Sequence, residues 1–306
     1  MFDLSTILNP PSGLTITAIL GIAFVLGTLH GITPDEHTWP ITFSYSIGSY
    51  STKGGMKSGF VFSLGFMSQR AVLTTLGFLG LAAIYKAYNL DGPIYIIVGL
   101  VMVVAGSYIL KGKYLHLPFD RLLGSKSEHH SNQAERLPLH ETEIKPVPLK
   151  MATVHGFVAG WGFGAYASII TFILAPQMPG VLFAPFVGLM FGVGTMCMQI
   201  IIGAIFANLA RMKRLTVDQV KYVGRSAAAR TLYLGGMAFA GIGALIAAFP
   251  VIDQFAVSTG NPIPNLNSIG VASILVICVV GLIGFGNIYR GYKELKLSAG
   301  VSNKSV

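Results

Sequence analysis

Seven runs of mostly apolar residues, at roughly 13–32, 58–84, 93–110, 151–175, 181–208, 230–251 and 268–289, constrain this chain more than any other feature. Most of them approach or exceed the ~20 residues that an α-helix needs to cross ~30 Å of hydrocarbon. A bilayer offers no water to backbone N–H and C=O groups, so a crossing segment of this length satisfies them internally, as a helix. The expected fold class is therefore all-α: a polytopic membrane protein with about seven transmembrane helices. Composition agrees where it matters, since only 11% of the residues are charged, against about a quarter in water-soluble domains. The 37 glycines fit the same class, because small residues let membrane helices approach closely.

Orientation follows from the lysines and arginines, which favour the cytoplasmic side. Seven crossings put nineteen of the 21 basic residues on one side and only Lys86 on the other, with Arg70 inside the second run. The expected location is the plasma membrane, with the N-terminus outside and the C-terminus in the cytoplasm. The net charge of +9 flanks the apolar runs, which argues for membrane lipid and against nucleic acid as a partner. Met1-Phe2-Asp3 carries neither a basic region nor a small-residue cleavage site, and no cleavable signal peptide is expected. Cys197 and Cys278 each lie in an apolar run and match no metal or redox spacing; they read as small buried hydrophobes.

The chain divides into a first three-helix unit (1–110), a polar cytoplasmic stretch (111–150), a second three-helix unit (151–251), and a last crossing with a basic tail (252–306). A short internal echo links the two units: Leu29-His30-Gly31-Ile32 returns as Val154-His155-Gly156-Phe157. Three crossings per unit is an odd number, so the copies are inverted in the membrane. Inverted repeats are a transporter architecture, with the substrate held where the repeats meet. Between the fifth and sixth runs, Thr216-Val217-Asp218-Gln219 has the form of a capping box, followed by a basic helix to Arg230. That helix reads as a positive-inside anchor or as a gate or anionic-lipid site.

The stretch around which the chain is organised is His30-Gly31-Ile32-Thr33-Pro34-Asp35-Glu36-His37. It packs two imidazoles and two carboxylates into eight residues at the end of the first apolar run. Ionisable groups at membrane depth are costly and mark functional sites. Pro34 disfavours a helical residue before it and lacks an N–H, so the helix is expected to break near Thr33-Pro34. Thr33-Pro34-Asp35-Glu36 also has the form of a helix start, with Thr33 as cap. Glu36 then reads either as a cap or as a ligand, and Asp35 as a ligand or as a dipole complement. The histidines are not explained by capping. On one continuous helix they would lie ~10 Å apart along the axis, whereas a break lets them converge. Imidazole nitrogen with carboxylate oxygen suits divalent first-row metals. The following segment, 38–50, is too short to span and reads as re-entrant or interfacial.

H-G-I-T-P-D-E-H resembles the H-x4-D-H signature of the nickel/cobalt transporter superfamily and its NicO-type efflux branch. Phe62-Ser63-Leu64-Gly65-Phe66 is similar to that branch's F-S-L-G-H element, and the branch also carries a histidine-containing polar stretch like 111–150. The likeness covers six crossings in layout and about fifteen residues in motif. Glu36 is an insertion relative to the signature, and Phe66 stands where the branch has histidine. The resemblance implies a metal site of His30, Asp35 and His37, with Glu36 beside them and His155 supplying the missing imidazole. Arg70, within Ser68-Gln69-Arg70, either snorkels or faces the carboxylates; with Gln69 and Thr33 it is a candidate for the substrate path.

The expected function is secondary transport of a divalent transition-metal cation, in the outward direction, with no enzymatic activity. No resident cofactor is expected; the metal is the cargo. His116, His129, His130 and His140 would collect it in the cytoplasm. No P-loop is present. The competing expectation is an exporter of sulfite- or organosulfonate-type anions that uses Arg70. A thiol-based electron carrier would need paired cysteines in equivalent crossings, which Cys197 and Cys278 do not provide. Self-association is left open.

Overall fold

A computed structural model describes residues 3–111, 147–209 and 215–302. The histidines at 116, 129, 130 and 140, and nearly all of the polar 111–150 stretch, lie outside the described residues. The described elements are helices apart from one short ribbon, and four helices are long and apolar enough to cross a membrane: Asp91–Leu110, Ala184–Leu209, Val217–Ala248 and Val271–Leu297.

The elements run α1 (Leu4–Leu8), α2 (Ile16–Ile32), α3 (Trp39–Ile47), α4 (Thr52–Phe78), α5 (Ala83–Ala87) and α6 (Asp91–Leu110). After the polar stretch come α7 (Lys150–Ala159) and α8 (Ala165–Ser168), the latter continuing as a π-helix to Leu174 and a 3-10 turn to Gln177. Then follow α9 (Ala184–Leu209) and α10 (Val217–Ala248). A two-stranded antiparallel ribbon, β1 (Ala256–Ser258) with β2 (Ser268–Gly270), is an addition to the all-α expectation. The last rod is α11 (Val271–Val276), a π-helix (Ile277–Gly284) and α12 (Phe285–Ser302).

Local chemistry sets most boundaries. The Thr15 side chain accepts from Ala18 N to start α2, and Ser51 accepts from Gly54 N to start α4. Thr216 and Gln219 form the reciprocal capping box of α10. The basic stretch after that cap is not a separate helix, since α10 runs unbroken for 32 residues. α2 ends at Ile32, before the Thr33-Pro34 step. The expected helix start at Pro34 is not found; α3 begins at Trp39, with Pro40 in its first turn. The reason is local. Thr33 Oγ1 donates back to Leu29 O at 2.9 Å, which keeps the residue with the end of α2. Asp35 builds a turn instead, its Oδ1 accepting from His37 N and its carbonyl from Thr38 N and Trp39 N.

Close-packed small residues set the tertiary arrangement. α2 lies along α9 in the same direction, Gly27 against Phe191 and Gly31 against Thr195. After the break α3 continues down the same neighbour, with Thr42 Oγ1 donating to Gln199 Oε1 at 2.7 Å and Ser46 beside Gly203. The 38–50 segment is thus the lower half of an interrupted helix. α4 runs antiparallel to α9, with Gly55 against Gly203, Gly59 against Gln199 and Gly188 against Arg70. α6 runs antiparallel to α10 through glycines every seventh residue, Gly92 on Gly243, Gly99 on Gly236 and Gly106 on Ala229. The 151–175 run is interrupted too: α7 lies along α4, Gly156 against Phe62, and the chain opens at 160–164 before α8.

Candidate functional site: the meeting of two helix breaks

The two interruptions, 33–38 after α2 and 160–164 after α7, meet at one small cavity. His30, Asp35, His37, Arg70, Gly162, Gly164, Tyr166, Ala167 and Asn265 line it, and it has room for about one water molecule or bare ion.

His30 is buried on the last turn of α2, its ring stacked on Phe66 at 5.4 Å and flanked by Phe191 and Tyr166 at 5.3 and 5.6 Å. Neither ring nitrogen has a hydrogen-bond partner among the described residues. Nδ1 lies 3.7 Å from Asp35 Oδ2, beyond hydrogen-bond range. The position expected to hold histidine in a NicO-type protein, here Phe66, therefore touches the motif histidine directly.

His37 Nδ1 lies 3.0 Å from Glu36 Oε1. A carboxylate only accepts, so Nδ1 carries the hydrogen and, in the neutral ring, Nε2 carries the lone pair. That Nε2 is buried without a partner among the described residues. A histidine oriented by a carboxylate at one nitrogen, with the other free, is the arrangement that metal-ligating histidines adopt. Tyr95 OH donates to the same Glu36 oxygen at 3.1 Å, and the Tyr95 ring packs 4.8 Å from that of His37. Asp35, Glu36 and His37 can each offer one ligand atom within 4.8 Å of the others, the one such group among the described residues.

Arg70 is 3% exposed and donates from Nη2 to Gly162 O at 3.1 Å. Its guanidinium sits over Phe66 at 4.6 Å and within 5.7 Å of Phe191. The side chain is buried and lines the cavity, with the Gly162 carbonyl as its acceptor. Thr33 stands at the rim, its hydroxyl 3.4 Å from Asn265 Nδ2.

Of the expected residues, Glu36 and Thr33 adjoin the cavity without lining it, and two others lie away from it. His155 is buried one element away, its Nδ1 shared between Met151 O at 3.0 Å and Tyr45 OH at 2.8 Å. It pairs with the tyrosine of α3 rather than supplying an imidazole opposite His30. Gln69 packs on Gly160 with both amide atoms unpartnered. Sequence reasoning missed Gly162, Gly164, Tyr166, Ala167, Asn265 and Tyr95. One signal was available, the alternating glycines of Gly160-Trp161-Gly162-Phe163-Gly164, which mark an interruption within an otherwise apolar run.

No protein-family model, curated protein or solved structure matches this chain.

Proposed function

We propose that this protein is a secondary transporter of a divalent transition-metal cation in the plasma membrane, working as an exporter and related in design to the NicO-type branch. The observation that carries this reading is the buried, unpartnered imidazole nitrogens of His30 and His37 beside Asp35 and Glu36, at the point where two interrupted helices meet. Buried polar atoms without partners call for an explanation such as an ion or water. Interrupted helices facing one another are how transporters build ion sites at membrane depth. The size of the cavity favours a bare ion over an oxyanion.

In this reading there are seven crossings: α2 with α3, α4, α6, α7 with α8, α9, α10, and the α11–α12 rod. The N-terminus is outside and the C-terminus cytoplasmic, on the charge bias of the sequence. The packing supports an inverted three-plus-three repeat. α4 and α9 pair with each other antiparallel, as do α6 and α10, while α2 lies along α9 as α7 lies along α4. These pairings are the ones an in-plane two-fold axis would exchange with one another.

The chemistry assigns His30, Asp35 and His37 as ligands and Glu36 as the group that orients His37. Neutral imidazoles ligate and protonated ones do not, so cation binding weakens as pH falls through the histidine range. Arg70 supplies a fixed positive charge near the carboxylates, which limits the number of cations the site holds. That same guanidinium is what favours the second reading, an anion exporter.

Binding of nickel(II), cobalt(II) and zinc(II) to the purified protein tests the proposal. His30→Ala and His37→Ala should each weaken binding by at least about tenfold, as expected for loss of an inner ligand. Equal affinity in all three proteins, with sulfite flux in liposomes, would replace the cation reading with the anion one.

A further inference from the structure

The ribbon between α10 and α11 does more than connect them. Its tip, Pro264-Asn265, turns inward onto the cavity. Asn265 Nδ2 lies 3.4 Å from Thr33 Oγ1 and 3.5 Å from Asp35 Oδ2, reaching two residues of the first break. Tyr166, in the first turn of α8 just after the second break, donates its hydroxyl to Pro264 O at 3.2 Å, and Pro264 is buried. The tip thus touches the first break and the helix that follows the second. It is held in shape by the β1–β2 pairing and by Thr259, whose N–H donates to Asn267 O and whose hydroxyl donates to Leu266 O. Asn265 itself has φ +65°, the left-handed region, which asparagine tolerates better than most residues.

We propose that Asn265 is a positioning residue that latches the ribbon over the outer mouth of the cavity by holding the Asp35 carboxylate. A cation that takes Asp35 as a ligand withdraws Oδ2 from the amide and releases the latch, so that loading the site opens the outer side. The second half of this statement rests on the cation-transport reading; the first half rests only on the orientation proposed with it. The contact is long for a hydrogen bond, which suits a latch that must open under a ligand. The ribbon surface away from the tip is exposed, and Val257 and Ile269 pair across it with their side chains in the open. Among the described residues, the ribbon reaches the cavity lining through its tip, at Asn265.

The test uses the full chain with Cys197→Ser, Cys278→Ser and a reporter, Ala167→Cys, in the cavity wall. A membrane-impermeant methanethiosulfonate is added outside intact cells. Labelling should be slow with Asn265 and roughly three- to tenfold faster in Asn265→Gly, the range for loss of one weak hydrogen bond to a charged group. Glycine is chosen because it keeps the left-handed backbone without strain. Should that variant fail to accumulate, Asn265→Asp replaces it: the side chain keeps its shape, but two carboxylates now repel. In the chain without the reporter, cobalt(II) affinity should rise by a similar factor in Asn265→Gly, because a competitor for Asp35 is gone. Unchanged labelling in a folded variant overturns the latch. Faster labelling with no cobalt binding in the unaltered protein upholds the latch and defeats the cation reading.

Discussion

Gly162 carries the sharpest prediction. A β-carbon at this position would fall 2.5 Å from His37 Nδ1, 2.6 Å from Cε1 and 2.7 Å from Cγ. Carbon atoms in contact sit near 3.5–4.0 Å, so in Gly162→Ala the imidazole must retreat by about 1 Å. It has little room to do so, because Tyr95 and Phe239 pack against its other sides at 4.8 and 6.3 Å. Overpacking of this kind costs about 1–3 kcal/mol. Retreat also stretches the 3.0 Å contact to Glu36 that fixes the ring, so the loss in metal affinity should reach about tenfold or more, as for removal of an outer-shell partner. The control lies two residues along the same break. A β-carbon at Gly164 meets nothing within 4 Å, and its φ of −93° suits any residue. Thermal unfolding in detergent and cobalt(II) titration of the two variants give the comparison. Gly164→Ala should unfold within about 0.5 kcal/mol of the unaltered protein, the usual range where no neighbour is disturbed. If it proved as damaging to stability as Gly162→Ala, or if Gly162→Ala were silent, the tight seating of His37 would be refuted.

Glu36→Gln keeps an oxygen that can accept from His37 Nδ1 and should retain most metal affinity, whereas Glu36→Leu should lose it; equal loss in both would make Glu36 a direct ligand, measured by the same titration. Replacing Cys197 and Cys278 together with serine should leave transport intact, since both cysteines are free; loss of flux from folded protein would revive a thiol-carrier role. A cysteine placed at Ser131, in the polar stretch, should react with an impermeant reagent only from the cytoplasmic side; labelling from outside intact cells would reverse the orientation.

The sequence made the helical class and the first break legible for a simple reason. Apolar length and a proline after a threonine are both local signals, and α2 does end at Ile32. The local signal misled at the next step. Thr33-Pro34-Asp35-Glu36 has the composition of a helix start, but composition does not say which partner Thr33 will choose, and it turned back to Leu29. Arg70 could be singled out by its cost at membrane depth, yet its direction depended on Gly162, ninety-two residues away. His155 was matched to His30 by a four-residue echo. The echo does not bring the two rings to one place, because Tyr45 captures the second one. Asn265 was invisible, being an ordinary turn residue until the ribbon folds back. The seven-residue spacing of Gly92, Gly99 and Gly106 went unread in the sequence, and the structure shows these glycines forming the seam between α6 and α10.

The π-helix from Ile169 to Leu174 has a consequence for how the cavity is aimed. Its bonds reach from i to i+5, so it winds more slowly than the α-helical turn before it. Tyr166 and Ala167 leave that first turn toward the cavity, while Thr171, inside the slow stretch, meets Gly77 of α4. The pitch between them works like the offset between two cams on a shaft: it lets one segment present a lining to the cavity and a flat bearing to α4 at angles that a regular helix would not give together. Deleting one residue here would reset that offset and swing Tyr166 off the cavity without touching any residue that lines it.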